Sequence, residues 1–350
     1  MKAEFKDKLI LTSDVENILA SKNLIFPETR MELQALAMGG TDEDNFVVEY
    51  DIENHGKIVE ATVTKCKNGV SVNYTEINMR RRDPDCLVVA DNHDTDKARY
   101  FERYGEDFTD LRHQTFEWLK QQETLIIVPF MAGGIKLGFP ALLIAPENAG
   151  FFAAGLADLQ GFIPKSQIPD DFKPVAIIFL APTFRHTHFK GEQVVVHNRT
   201  DEVHELFSFN LYPGPSAKKG VYGFLLHIGE MQGWLTLHGA SVKLTTPYDN
   251  EFVMMHEGAR ARGRVKFLKR FVENRMEEFA WVSTRSRKKS YLFLSQTPAI
   301  FNLLQMTWHF AIPKSRPIHQ ISWLLQMQST VGFFVLTRLK STAPILIWRN

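Results

Sequence analysis

Cysteine is nearly absent from this chain: Cys66 and Cys86 are the only two in 350 residues. They make no C-x-x-C pair, which excludes a disulfide-stapled scaffold and a cysteine-rich zinc module and leaves a reducing compartment as the expectation. An apolar leader is also lacking, because Met1-Lys2-Ala3-Glu4-Phe5-Lys6-Asp7-Lys8 is charged throughout, so a cytoplasmic location is expected. No G-x-S-x-G occurs, which excludes a nucleophile elbow of the hydrolase type. No internal repeat is present. Acidic residues fail in one region only. Residues 260–350 hold no Asp, two Gly and no acidic residue after Glu278.

That last absence divides the chain. Residues 260–350 carry 16 Lys+Arg against 3 Asp+Glu, a net of +13, and residues 1–259 carry 25 against 37, a net of −12. A globular stretch of that length would hold roughly ten acidic groups. One reading is a basic tail for nucleic acid or a membrane surface. Charge-free runs near Tyr291 to Pro313 and Pro317 to Thr337 approach the span of about 20 residues that a bilayer needs. They contain Gln305, His309, His319, Gln320, Gln326 and Gln328, and Pro298 interrupts the first, which suits a lipid-facing helix badly. Neither a membrane nor a nucleic-acid partner is therefore expected. The other reading is that this segment is written in the wrong frame.

What is present before Ala259 is coherent. The chain is 44% hydrophobic and 23% charged, as in a globular protein, and long enough for two domains. Ser13-Asp14-Val15-Glu16 reads as a capping box opening a short helix. Phe46 to Tyr50, Lys57 to Thr64 and Val70 to Tyr74 read as strands, with Asn68-Gly69 as a hairpin signal between the last two. Asp110 to Gln122 has helical spacing with Leu111, Phe116 and Leu119 on one face. Further strands are expected at Thr124 to Phe130, Val175 to Leu180, Gln193 to Val196, Tyr222 to Ile228, Trp234 to Leu237 and Phe252 to Met255. Many strands with few helices predict an α+β fold rather than a regular βαβ repeat.

The chemistry converges just before the break. Glu251 to Glu257 is a strand running into Gly258, the context in which a phosphate-binding loop G-x-x-x-x-G-K-[ST] begins. Gly258 and Ala259 open it and Gly263 takes the second glycine position, but Arg264 and Val265 stand where Lys and Ser/Thr belong. Arginine can carry the charge; valine cannot hold a metal. In the neighbouring frame, as after loss of one base following codon 259, Arg260 to Val265 can encode S-G-A-G-K-S. That frame also forces Gly at Met276-Glu277 and Trp281-Val282, and Asp at Met306-Thr307. These are residue types that the written segment lacks or nearly lacks.

Pro215-Ser216-Ala217-Lys218-Lys219-Gly220, then His238-Gly239-Ala240-Ser241, then the strand into Gly258, resembles ATP-dependent phosphoenolpyruvate carboxykinases. Residues 1–259 more closely resemble an uncharacterised bacterial domain-of-unknown-function family thought to share that fold. The resemblance lies in Met79-Arg80-Arg81-Arg82-Asp83-Pro84-Asp85, Gly155 to Phe162 and Asn210 to Pro215. It implies a carboxykinase-like amino-terminal domain over residues 1–215, the start of a P-loop nucleotide and metal lobe over 216–259, and a basic segment of non-native appearance over 260–350. It implies Lys219 and His238 as ligands of a catalytic Mn or Mg ion, Lys218 beside the transferred phosphoryl group, and Arg82 gripping a substrate carboxylate. It implies ATP or another nucleotide at Gly258, Ala259 and Gly263, and a small anionic substrate, a carboxylate or phosphorylated metabolite. Arg82-Asp83-Pro84-Asp85 departs from the family's R-S-P-K-D pattern, which puts the substrate in question.

Each candidate has a plainer reading. Lys218-Lys219, among Pro213, Gly214, Pro215 and Gly220, also suits a solvated turn, and His238 suits a core histidine. Arg80-Arg81-Arg82 suits surface charge. His186-Thr187-His188 with His197 and His204 has His-x-His spacing, but no cysteine or evident carboxylate completes a zinc site. Three functions follow: a phosphoryl-transfer protein whose nucleotide loop is destroyed, an anionic-metabolite binding module without catalysis, or a basic segment that binds nucleic acid or membrane.

Overall fold

Long apolar runs without alternation mark strands buried on both faces, and the computed structural model of this chain builds its main sheet from them. It describes residues 8–20, 22–52, 54–76, 86–134, 138–245, 251–257, 301–302, 308–313 and 346–348. The fold is α+β, and the chain divides into two compact units after Leu225.

The first unit carries a seven-stranded mixed sheet. Its strands are β1 (Asn23–Ile25), β5 (Leu87–Val89), β6 (Thr124–Ala132), β7 (Phe139–Pro146), β8 (Ala176–Leu180), β9 (Val195–Arg199) and β10 (His204–Ser208). The order is β1-β6-β7-β8-β10-β9-β5. The three neighbours β7, β8 and β10 run parallel, so their carboxyl ends lie along one edge. A second, three-stranded antiparallel sheet is made by β2 (Asn45–Ile52), β3 (Gly56–Cys66) and β4 (Gly69–Tyr74). The hairpin expected at Asn68-Gly69 forms, with Cys66 facing Gly69 across a Lys67-Asn68 turn.

Helices α1 (Ser13–Leu19) and α4 (Phe108–Gln121) share one hydrophobic core with the main sheet. Leu111, Phe116 and Leu119 of α4 are buried as their spacing predicts. Phe179 and Phe207 stack beneath them at 5.0 Å between centroids. Such side chains each contribute about 1.5–3 kcal/mol on burial. Helix α2 (Arg30–Ala37) packs against α5 (Gly150–Gln160), and a Cβ on Gly150 would overlap the Leu36 carbonyl, so only glycine permits that approach.

Three expectations are corrected. The capping box at Ser13 does not form: Thr12 occupies the cap position without a side-chain bond, and the Glu16 N–H goes to the Thr12 carbonyl. Gln193 to Val196 is displaced, the strand running instead over Val195–Arg199. Tyr222 to Ile228 is not a strand but part of helix α7 (Val221–Met231), with Val221 and Phe224 buried at helical spacing. A short apolar run does not distinguish the two by pattern alone.

The second unit centres on β11 (Trp234–Thr245), paired antiparallel with β12 (Glu251–Glu257). Residues 308–313 and 301–302 pair with β11, and 346–348 with β12. Among the described residues, no helix is long and apolar enough to cross a membrane.

Candidate functional site

Ligands of open α/β sheets collect outside the carboxyl ends of parallel strands. Here Leu180 of β8 and Ser208 of β10 are register partners at that edge. The chain leaving β8 turns into a short helix, α6 (Phe184–Thr187), which carries Arg185 and His186. The chain leaving β10 passes Asn210 and Tyr212 and enters a seven-residue π-helical turn, Gly214–Gly220, which carries Lys218 and Lys219 and runs directly into α7. Such wide turns concentrate at functional sites.

The π-turn is held at its middle and packed closely at its end. A Cβ on Gly220 would overlap Leu206 Cδ1 of β10, and Gln160 of α5 donates its side-chain amide to the Ala217 carbonyl at 3.0 Å. Pro215, Ser216 and Ala217 are buried beneath, which leaves Lys218 exposed and Lys219 half-buried. Two cations in sequence on a clamped backbone form a local positive spot beside a buried polar floor. In that floor Ser208 donates to the Asn210 carbonyl and Asn210 Oδ1 accepts the Tyr212 N–H.

The hairpin sheet contributes acids. Between β2 and β3 the register slips, Val48 facing Ala61 and Glu49 facing Val59, so Glu60 is the extra residue of a β-bulge. Bulges re-aim side chains, and this one buries Glu60 and Ala61 in succession. The Glu60 carboxylate accepts from His186 Nε2 at 2.7 Å and lies 3.4 Å from Arg185 Nη1. Arg185 Nη2 is bound to the half-exposed Glu76 just beyond the end of β4, while Arg185 Nε is buried without a hydrogen-bond partner among the described residues. Burial, with the nearby Glu60 charge, pushes the Tyr50 phenol well up. Tyr74 is raised by burial, then by Tyr212 and Glu60. Its ring meets Tyr212 edge-on at 5.5 Å, which ties this acid-base cluster to the loop that opens the π-turn.

The candidate residues from sequence are thus distributed unevenly. Lys218 and Lys219 stand together on the π-turn of the first unit. His238 lies on β11 of the second unit, in register with His309. Arg82, Gly258, Ala259 and Gly263 lie outside the described residues. His186 and His188 do not converge: His186 binds Glu60, and His188 binds Gln114 at 3.0 Å and stacks on Phe184. His197 and His204 pair with each other at 2.8 Å on adjacent strands. Sequence reasoning missed Glu60, Glu76 and Arg185. The local hint was Arg185-His186 itself, an arginine and a histidine just past a strand of five apolar residues.

The metal and nucleotide implied by the resemblance meet a poor donor set. Among the described residues no group of three His, Cys, Asp or Glu is placed to hold a metal ion. Arg264 and Val265 stand where nucleotide-bound Mg requires Lys and a hydroxyl. As written, the loop lacks both the lysine and the hydroxyl that such a pair takes from it.

A family model described as a domain of unknown function (DUF4914) matches residues 11–334, past Ala259 and most of the way through the basic segment. No curated protein matches the chain.

Proposed function

The chain belongs to this DUF4914 family of domains of unknown function, and we propose that its first unit binds a small anionic metabolite at the Lys218-Lys219 turn, without transferring phosphate. The observation that carries this reading is the clamped π-turn at the carboxyl end of β10, holding two adjacent cations where α/β sheets bind ligands. Intact members of the family would be carboxykinase-like phosphoryl-transfer enzymes, a reading supported by the order Lys218-Lys219-Gly220, His238 and Gly258. In such a member Lys218 would face the phosphoryl group, and Lys219 and His238 the metal. This chain keeps the anion-binding half and, as written, lacks the lysine and hydroxyl of the nucleotide loop.

The test is thermal unfolding of the full chain with phosphoenolpyruvate, with oxaloacetate and with Mn-ATP. Ligand at 100 times its Kd stabilises by about 2.7 kcal/mol, a shift of several degrees. Phosphoenolpyruvate or oxaloacetate should raise the midpoint, Mn-ATP should not, and Lys218→Ala with Lys219→Ala should abolish the shift. No shift with any anion, or a shift that survives the double substitution, refutes the reading.

A further inference from the structure

We propose that Asn68 is a site of spontaneous modification, its side chain closing onto the Gly69 nitrogen and reopening as isoaspartate at the tip of the β3–β4 hairpin. The inference is independent of the Lys218-Lys219 reading.

Asn68-Gly69 is the only Asn-Gly step in the chain, and the hairpin does not use it as a turn of the favoured kind. Two-residue hairpin turns prefer the primed types, with Asn and Gly together at the two central positions and positive φ at both. Here the central pair is Lys67-Asn68, and Gly69 already faces Cys66 in the ladder. Among the described residues the non-glycine residues with positive φ are Asn54 and Lys190, so Lys67 and Asn68 both keep negative φ. An unprimed turn splays the strands it joins. The tip is therefore where this hairpin opens most readily.

The surroundings of Asn68 favour ring closure. Its side chain is exposed and makes no hydrogen bond among the described residues. Gly69 carries no side chain to block its nitrogen. Chain neighbours apart, the nearest atom to where a Cβ on Gly69 would stand is Gln34 Nε2 at 3.7 Å. Lys65 and Lys67, both exposed, place positive charge near the anionic intermediate. Other asparagines lack this combination. Asn45 and Asn198 are bound to Thr64 and Glu205, Asn210 is buried, and Asn54 and Asn92 are each followed by a histidine.

The chemistry needs only water and base. Base removes the Gly69 amide proton, and the nitrogen attacks Asn68 Cγ. The bond from Cγ to the side-chain nitrogen then breaks, and that nitrogen leaves as ammonia. Water opens the resulting succinimide at either carbonyl. Attack at Cγ gives aspartate, and attack at the main-chain carbonyl carries the backbone through Cγ as isoaspartate. Both products add one negative charge. Isoaspartate also lengthens the main chain inside a two-residue turn whose length sets the register of β3 and β4. The far end of that hairpin carries Glu60 and Tyr74.

The experiment holds the full chain in mildly alkaline buffer beside a synthetic peptide of residues 64–72. Isoaspartate is read by peptide mass spectrometry and by labelling with a protein isoaspartate methyltransferase and S-adenosylmethionine. Asn68 should convert before every other asparagine, and Asn68→Gln should remove the label. Its rate should lie within about tenfold of the peptide's, which corresponds to an opening cost of up to about 1.4 kcal/mol. Slower conversion than that in the folded chain, or first conversion at another asparagine, overturns the proposal. The separated isoaspartate form should unfold at lower urea than Asn68→Asp, which has the same charge on an ordinary backbone. Equal midpoints would overturn the effect on the hairpin.

Discussion

Glu60 shows how much one inserted residue decides. Strict alternation along Lys57 to Thr64 would point Val59, Ala61 and Val63 inward and Glu60 to solvent. Instead Val59 is 38% exposed and Glu60 is buried, because the bulge spends an extra residue opposite Val48 and Glu49. The carboxylate then meets Arg185 and His186, more than a hundred positions away in the chain. Its neighbour Tyr50 is buried with a hydroxyl that has no hydrogen-bond partner among the described residues. An unsatisfied buried hydroxyl is worse than none, so Tyr50→Phe should stabilise the protein by about 1 kcal/mol. Urea unfolding checks this; a loss of stability would mean the hydroxyl is satisfied after all. No reading of sequence finds Glu60, since a bulge leaves no local signature in β3 and the partners are non-local.

The loop between β5 and α3 (Tyr100–Tyr104) is held by a different device. Asp91 takes the Arg199 side chain and backbone N–H, and Arg99 and Arg199 both donate to the carbonyl of His93. Burial raises the Asp91 pKa, but the hydrogen bonds and charge of Arg199, with the His93 N–H, outweigh it and hold the carboxyl below its usual range. A depressed folded pKa stabilises above the unfolded value of about 3.9 and is lost as pH falls through the folded one. Asp91→Asn should therefore cost about 3 kcal/mol at neutral pH, as for a broken buried pair, with the wild-type advantage shrinking below about pH 4. Urea midpoints of both chains from pH 7 to 3 measure it, and an advantage that persists undiminished at pH 3 excludes the linkage. At this scale the legible elements were those with a clean period: the β2-β3-β4 meander and α4. Strand β7 is apolar throughout and helix α5 is apolar up to Asp158, so neither shows a period to read. Helix α7 was misread for the same reason, although Gly223 lies so close to His197 that a Cβ would sit 2.9 Å from the ring.

Two opposite charges written end to end, −12 over residues 1–259 and +13 over 260–350, demand one explanation for the whole molecule. A basic tail selected for binding would keep its lysines and arginines yet has no reason to lose every aspartate and nearly every glycine. A shifted frame loses them at once, because the codons that spell Gly and Asp become other residues. It also accounts for a strand that enters Gly258 and then fails to complete G-K-S. The family match, running to residue 334, places most of this stretch within the span of the domain rather than beyond it. The written chain and a chain with one base restored after codon 259 should then differ in one property above all. Mn-ATP should leave the unfolding midpoint of the written chain unchanged and raise that of the restored chain, and substitution of the restored loop lysine by alanine should remove the gain. Phosphoenolpyruvate should stabilise both, since Lys218 and Lys219 lie upstream of the change. Stabilisation of the written chain by Mn-ATP would overturn the frame argument and return residues 260–350 to service as they stand.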